Sequence, residues 1–486
     1  LWAPFTAAFV AAALFQILGS KPVDPDYWWH LAAGRWMLDH GRVLFTDPFS
    51  FTHGGQNWVA HEWLGELLIA LGDRAGGYAF NILLTVALLG GGFWLMWRAG
   101  RLLGASRRTV AVAVCAAVFF FAIEIAIRPQ VWAFALLMAL VHELVAHDLG
   151  KRRRLWHLPL LFIVLINLNL LALIGGLVLA LYFAHRVTEW RRAVDAERPA
   201  ARERTLHVLR VGVVSAVALC VNPRGPALLS FAVSYMNPHA LRLRAIQEWQ
   251  PVAFAGPGAS LYLFGGLLLL LTLWAMARRR VLWPGVLVIV FAIFAARAIR
   301  YVPLFGIALA VGYPWSAEVF GFGKAEHEEA SPASRLRWWT AGAAVLAGVA
   351  MIASAGAEFS GIPDATRGSY PVAAAAWLHS RHPDARLFAD YGWGGYLDDT
   401  LYPQSNVFID GREEMYGDTV FGQYLGVEAA APGWQQALSD WRVDAVLTAS
   451  QSKLALALAV DPGWRRAFSD LTSVVYLPAD QAGAAR

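Results

Sequence analysis

The stretch Asp24-Pro25-Asp26-Tyr27-Trp28-Trp29-His30-Leu31 follows directly on an apolar run over 2–19 and precedes a second over 78–97. The connection 20–77 far exceeds the roughly 12–15 residues beyond which a loop is usually functional. Its pattern predicts two helices. Asp26 is a fitting N-cap for the first, which should run to Asp39 and stop at Gly41. Trp28, Trp29 and Trp36 suit an interfacial helix with its indoles at headgroup depth. Asp26 and His30 lie four apart and should share a face, as should Glu62 and Glu66 on a second amphipathic helix expected over 58–66. His61-Glu62 does not open a zinc-protease helix, because position 65 is Gly where the second His would stand. His61 and Glu62 therefore serve packing and hydrogen bonding or touch a substrate. Asp24 and Asp26 suit removal of a hydroxyl proton or ligation of a divalent cation. They suit a solvated helix cap equally well.

Outward from this stretch the chain is apolar. Of its 486 residues 58% are hydrophobic and 15% charged, and the mean hydropathy is +0.47. Soluble domains carry about 25% charged residues, so a soluble chain is excluded and a polytopic α-helical membrane protein is expected. About eleven runs approach spanning length: 2–19, 78–97, 109–127, 130–147, 156–168, 170–185, 207–221, 259–277, 281–298, 301–318 and 338–356. The stretch 155–186, broken by Asn167 and Asn169, reads as a helical hairpin that does not fully cross. No small-residue cleavage site precedes Lys21, so the first run is expected to remain as a span. The net charge is +5, with basic residues in short blocks between apolar runs, which excludes nucleic acid as a partner. The two cysteines, Cys115 and Cys220, lie in apolar stretches and exclude a disulfide framework and a thiolate metal site.

Loop charges set the expected orientation. With the N-terminus inside, the inner loops hold 20 Lys and Arg, including the block 151–154, against 10 in the outer loops before residue 357. An odd span number places the tail 357–486 outside. That tail is net −7, the body 1–356 net +12. The tail reads as a small α/β domain: helices over 371–381, 418–430, 434–441 and 452–459, strands over 386–390, 406–410, 443–448 and 473–477. Two domains follow, a membrane domain 1–356 with its first outer loop and an extracytoplasmic domain 357–486.

Polar chemistry gathers on the expected outer side. Arg128 stands in the tight turn Arg128-Pro129-Gln130, and Arg297 and Arg300 flank another outer end. The loop 222–258 carries Asn222-Pro223-Arg224-Gly225, then Arg242, Arg244 and Glu248-Trp249. Arginines at a membrane edge suit a lipid phosphate or pyrophosphate, or they snorkel to ordinary headgroups. Several outer turns supplying one each favours a common phosphate pocket. In the tail, Asp390-Tyr391-Gly392-Trp393-Gly394-Gly395-Tyr396 and Phe408-Ile409-Asp410-Gly411-Arg412 follow predicted strands. Their glycines suggest turns with positive φ or close backbone approach. The absence of a following Lys-Ser/Thr excludes a nucleotide P-loop.

Together these elements resemble the GT-C superfamily of membrane glycosyltransferases. The order is a first span, an acidic motif on an aromatic-rich helix, a Trp-flanked second helix, a multispan body and an outer C-terminal domain. The segment 24–31 is similar to the Asp-x-Asp-Tyr motif of oligosaccharyltransferase catalytic subunits, and 24–72 looks like the first loop of dolichyl-phosphate-mannose-type transferases. The Asp-Gly-Arg and Gly-Gly-Tyr elements of the tail resemble a bacterial group within the superfamily. The resemblance covers the first third of the chain and the rest mainly by topology. It implies a multi-pass protein of the bacterial inner membrane that transfers a sugar from a polyprenyl-phosphate donor to an acceptor on the outer face, with inversion.

On that resemblance Asp24 and Asp26 map to the catalytic base or the ligands of a divalent cation. His30, His61, Glu62, Arg128, Asn167, Asn169, Arg224, Glu248, Arg297, Arg300, Asp410 and Arg412 are the expected substrate-binding residues. One departure stands out: the family's Asn-x-His-Gly in the middle hairpin is here Asn167-Leu168-Asn169-Leu170. It favours a second reading, a catalytically silent GT-C-like scaffold that binds lipid or a partner complex. A transporter of lipid-linked sugars is a third. It is weaker, because only Glu124, His142 and Glu143 stand well within predicted spans.

Overall fold

The computed structural model describes residues 2–20, 23–235, 237, 239–253, 257–279, 283, 285–319 and 368–479. They form two compact units. One, a helical unit, takes the described residues of 1–20, 82–229 and 246–357; the other, a mixed unit, takes those of 21–81, 230–245 and 358–486.

Ten of the apolar runs lie on helices; the eleventh, 338–356, lies outside the described residues. The helices in chain order are α1 (Trp2–Ser20), α2 (Pro25–His40), α3 (Trp63–Leu102), α4 (Arg107–Phe121), α5 (Pro129–Asp148), α6 (Leu158–Leu168), α7 (Leu171–Arg192), α8 (Arg198–Ala218), α9 (Ala227–Tyr235), α10 (Arg242–Ala245), α11 (Pro257–Arg279), α12 (Gly285–Arg297) and α13 (Val302–Val319). Among the described residues α1, α3, α5 and α7 are long and apolar enough to cross a membrane. A kink at Gly76 and Gly77 divides α3 into an N-terminal part and the apolar run.

In the helical unit α13 packs on α4 and α12, and α8 on α6 and α7. Aromatic rings fill the seams: Phe120 meets Phe264 and Phe305, and Phe121 meets Phe93 and Phe134. Asn167 and Asn169 explain the hairpin. Asn167 Nδ2 donates to the carbonyls of Ile163 and Val221, at 2.7 and 2.8 Å. Asn169 Oδ1 accepts from Leu171 N at 2.9 Å at the start of α7. With 11 residues α6 is only about 16 Å long, half the hydrocarbon thickness.

The mixed unit adds α14 (Val372–Arg381), α15 (Tyr391–Leu401), α16 (Glu413–Glu428), α17 (Trp434–Asp440) and α18 (Lys453–Val460) to a five-stranded sheet. Its strands are β1 (Arg386–Ala389), β2 (Asn406–Val407), β3 (Ala445–Ala449), β4 (Trp464–Ser469) and β5 (Ser473–Pro478), in the order β2-β1-β3-β5-β4. β1 runs parallel to β2 and β3; β3–β5 and β5–β4 are antiparallel. The segment after α2 covers the β2 edge: Ser50 bridges Val407, and Phe51 N donates to the Val407 carbonyl at 3.0 Å. An otherwise open sheet edge is thereby closed.

Several local expectations need correction. β4 was not anticipated, because Trp464-Arg465-Arg466-Ala467-Phe468-Ser469 is a charged edge strand without the apolar run that marks a buried one. β2 ends at Val407 rather than 410; Phe408 N still donates to the Leu387 carbonyl of β1 at 2.8 Å, and the chain then turns through Asp410-Gly411-Arg412. The Tyr391–Tyr396 glycines do not make a turn; they lie in α15. The second helix of the first loop starts at Trp63 rather than 58, since 58–62 continues the loop that pairs Thr46 with Asn57. The tryptophans of α2 are not set out for headgroups. Trp29 is buried, Trp28 packs edge-on to Tyr370 and Tyr396, and Trp36 Nε1 donates to Tyr402 Oη.

Candidate active site

The N-cap of α2 is Asp24 rather than Asp26, because Pro25 takes the first helical position, where its missing N–H costs nothing. Asp24 Oδ1 accepts from Asp26 N at 3.0 Å. Asp26 Oδ1 accepts from Trp29 Nε1 at 3.2 Å, and the Trp29 ring lies on His30 with centroids 3.6 Å apart. The two sequence-distant motifs meet here. A Cβ at Gly411 would stand 2.6 Å from Asp26 Oδ1 and 2.7 Å from Trp29 Nε1; one at Gly395 would stand 2.9 Å from Trp29 N. Glycine is thus required for α15 and the Asp410-Gly411-Arg412 turn to close on the start of α2.

Arg412 is wholly buried beside Gly411. Its Nη1 is 2.8 Å from Asp47 Oδ1, its Nε donates to Asp410 Oδ1 at 2.8 Å, and its Nη2 pairs with Asp410 Oδ2. The guanidinium lies over Trp58 at 4.5 Å and Phe49 at 5.1 Å. Tyr416 Oη donates to Asp410 Oδ2 at 2.5 Å, and Asp47 accepts from Phe49 N, Ser50 N and Ser50 Oγ. Burial opposes ionisation of Asp410, but Arg412 outweighs it and holds the carboxyl below its ordinary range. Asp398 goes the other way: burial, and then the Asp410 charge, push it well up.

A second carboxyl group stands one helix turn along. His30 Nε2 is 3.6 Å from Glu62 Oε2 and His30 Nδ1 is 3.9 Å from Glu66 Oε1. Glu66 lies ahead of the α3 kink and is pushed well up by burial and then by Glu62. Glu414 is raised to about 7, by burial first and also by Glu62. His61 Nδ1 lies 3.3 Å from the Val59 carbonyl, with its ring against Phe231 and Tyr235, and Tyr235 Oη donates to Glu413 at 3.5 Å. The mixed unit therefore brings Asp24, Asp26, His30, His61, Glu62, Asp410 and Arg412 into one neighbourhood.

The helical unit assembles a separate polar group. Arg128 Nη1 donates to Glu248 Oε1 at 2.5 Å, and Arg300 Nη2 to Gln130 Oε1 at 2.5 Å. The Arg300 guanidinium lies 4.0 Å over the Trp249 ring. Burial opposes ionisation of Glu248, but Arg128 and Arg300 together hold it below its ordinary range. Of the remaining predicted residues, Arg224 sits in a turn capped by Asn222 Oδ1, and Arg297 is exposed at the end of α12. Asn167 and Asn169 serve the α6–α7 break described above.

Sequence reasoning missed Asp47, Asp398, Glu66 as a partner of His30, and Glu414. Asp47-Pro48-Phe49-Ser50 carries an Asx-turn signal that could have marked Asp47 as structured. Nothing local distinguishes Asp398 from Asp399. Asp24 and Asp26, the expected cation ligands, accept from the N–H groups given above. Among the described residues no three His, Cys, Asp or Glu are placed to hold a metal ion.

Solved structures match this architecture over nearly the whole chain. The archaeal oligosaccharyltransferase AglB from Archaeoglobus fulgidus, in complex with an inhibitory peptide and a dolichol-phosphate, aligns with a TM-score of 0.57 at 10% identity, over 98% of this chain and 74% of its own. ArnT from Cupriavidus metallidurans bound to undecaprenyl phosphate aligns at 0.54 and 14% identity, over 99% and 98%. The arabinofuranosyltransferase AftD from Mycobacteria aligns at 0.53 and 16%, over 97% and 39%. The chain has a GT-C-like fold. No family model and no curated protein sequence matches it. The GT-C-like likeness therefore rests on architecture, which agrees with the resemblance carried by the 24–31 motif and the first loop.

Proposed function

We propose that this GT-C-like chain is a membrane glycosyltransferase that uses a polyprenyl-phosphate-linked sugar. The observation that carries the proposal is the packing of Asp410-Gly411-Arg412 directly against Asp26, which joins the acidic motif after the first apolar run to the C-terminal sheet. In this reading the Asp24–Asp26 pair supplies the base. A carboxylate takes the proton of an acceptor hydroxyl, whose oxygen attacks the anomeric carbon while the bond to the phosphate oxygen breaks. The lipid phosphate leaves with the electron pair, and the configuration inverts. In the helical unit, Arg128 and Arg300 are cations suited to a lipid phosphate and to the charge it gains. The reading places the mixed unit on the outer face of a bacterial inner membrane, with the excess of inner-loop Lys and Arg facing the cytoplasm.

The test uses the full chain in lipid nanodiscs with a panel of polyprenyl-phosphate sugars and acceptor lipids, following consumption of donor. Asp24→Asn keeps the helix cap, since Asn caps as well as Asp. It or Asp26→Asn should slow transfer by about 10²–10⁴-fold, the usual cost of losing a general base, while donor binding persists. Wild-type turnover in both variants would remove the catalytic assignment. One observation favours the silent-scaffold reading: Asn167 and Asn169, where the family's hairpin carries its histidine, are engaged in holding the α6–α7 break. Binding of lipid donor with no turnover on any acceptor would support it.

A further inference from the structure

Arg128, Arg300 and Glu248 come together from three segments of the helical unit. Arg128 is the residue before α5, and its side chain does not cap that helix. Arg300 stands in the short 3-10 turn Ile299–Tyr301 that leads into α13. Each arginine thus stands at a helix N-terminus, where peptide dipoles favour an anion. The third segment is the 3-10 turn Gln247–Trp249, whose Glu248 accepts from Arg128 and lies within the field of Arg300. It is pinned in place: Ile299 N donates to the Gln250 carbonyl at 2.9 Å, and Trp249 stacks under Arg300 and edge-on to Tyr301. The anion at this site is therefore a carboxylate of the chain itself, with its side chain 29% exposed and that of Arg128 15% exposed.

We infer that Glu248 is an internal stand-in for the donor's phosphate and that the phosphate of a polyprenyl carrier binds by displacing it from Arg128. The inference rests on the phosphate role given to Arg128 and Arg300 above. A carboxylate and a phosphate present similar oxygen pairs to a guanidinium fork, so one can replace the other without rebuilding the site. The exchange discriminates by charge. A donor phosphodiester carries one negative charge, as Glu248 does, whereas the departing phosphomonoester carries up to two. The arginines therefore favour the lipid phosphate most as its charge grows, and Glu248 re-entry favours its release afterwards. Trp249, moving with Glu248, would lose its stacking on Arg300 when phosphate is bound.

The experiment measures binding of undecaprenyl phosphate to the full chain in nanodiscs, with phosphatidylglycerol as the phosphodiester lipid control and a short water-soluble prenyl phosphate as the headgroup probe. Glu248→Gln keeps the size and hydrogen bonding of the side chain but removes the competing charge. It should bind both prenyl phosphates roughly tenfold tighter, since the pair it weakens lies between exposed and buried in strength. Arg128→Ala and Arg300→Ala should bind them more weakly. Trp249 fluorescence should change on binding in wild type, read as a difference against Trp249→Phe. Loss of binding in the arginine variants with unchanged or weaker binding in Glu248→Gln would overturn the exchange and leave the phosphate site standing. Unchanged binding in both arginine variants would instead overturn the phosphate site on which it rests. Tightening for the prenyl phosphates but equally for phosphatidylglycerol would show simple charge relief at a headgroup surface, and would also overturn it.

Discussion

The Arg412 network predicts a rank order that ordinary residue chemistry would not give. Asp398 and Asp410 are both buried aspartates in the same cluster, yet their Asn variants should differ sharply. Asp410 is ionised and takes the Arg412 fork together with Tyr416 Oη. Removing its charge leaves Arg412 in the interior with the Asp47 carboxylate, 2.8 Å from its Nη1. Breaking a buried pair by removing one partner costs about 3–5 kcal/mol. Arg412→Met belongs to the same class, tempered because Asp47 keeps its bonds from Phe49 N, Ser50 N and Ser50 Oγ. Burial and then the Asp410 charge push Asp398 well up, so its charged form is disfavoured in the fold. Asn is uncharged and close to Asp in size, so Asp398→Asn removes no favourable charge and should fall within about 1 kcal/mol of wild type.

Hydrogen exchange read by mass spectrometry on peptides covering 391–416 measures this locally, in the intact protein in nanodiscs. Protection should drop by about two to three and a half orders of magnitude in Asp410→Asn and Arg412→Met, since 1.4 kcal/mol is tenfold. In Asp398→Asn it should barely change. The pH dependence gives a second reading. Between its ordinary value of 3.8 and its raised value in the fold, Asp398 binds more proton when folded than when unfolded. Stability from this group is therefore full at acid pH and declines as pH rises. Asp398→Asn lacks that decline, so its protection relative to wild type should improve from about pH 4 upward. If Asp398→Asn lost protection as fast as Asp410→Asn, the upward shift of Asp398 would be refuted.

Three further outcomes follow from particular contacts. Glu414, ordinarily near 4.5 and here about 7, holds its proton in the fold between those values, so wild-type stability should fall as pH rises across that window; Glu414→Gln should flatten the fall in a melting-temperature series. Gly34→Ala would drive its Cβ into the Glu66 carbonyl and to 2.8 Å from Ala70 Cβ, forcing α2 off α3; it should lower the melting temperature measurably, although alanine is the better helix former by about 1 kcal/mol. For orientation, single cysteines at exposed Gln56 and Leu471 should both react with an impermeant maleimide from outside whole cells and one at Arg153 should not; reaction of only one of the first two would refute the proposed topology.

The helical part of the fold was legible because its signal is local. An apolar run of spanning length needs no distant partner to be read, and ten runs lie on helices, though α3, α7 and α8 extend beyond the runs and α4 stops short of its run. Breakers were legible for the same reason: Asn167 and Asn169 mark the hairpin, and Gly41, at φ 63°, ends α2. Strand β4 escaped because an edge strand carries arginines in place of an apolar pattern, and the Gly-rich 391–396 stretch was misread because glycine serves two purposes. Composition alone cannot separate a turn glycine from one that lets a helix touch another backbone; at Gly394 and Gly395 it is the second.

The candidate site divides along the same line. Asp24, Asp26, Glu62 and the Asp410-Gly411-Arg412 turn were visible as unusual residues in unusual places, but their convergence was not. Asp47 and Arg412 form a fully buried ion pair across 365 positions of sequence, and no local pattern at either end encodes the other. What makes the pair obligatory is solvation. A guanidinium with no exposure must find carboxylates, and the turn that buries Arg412 supplies Asp410 two residues earlier and imports Asp47 from the first loop. Once Asp47 is committed to Arg412, the 46–58 segment is held at the β2 edge and Gly411 is held against Asp26. The buried ions thus fix the register between the first loop and the C-terminal sheet, and with it the place of the carboxylate proposed as the base. That is the same coupling the Arg412→Met variant breaks: it should loosen 391–416 and the 46–58 segment together, and a loss confined to one of them would show that the two are held by separate forces.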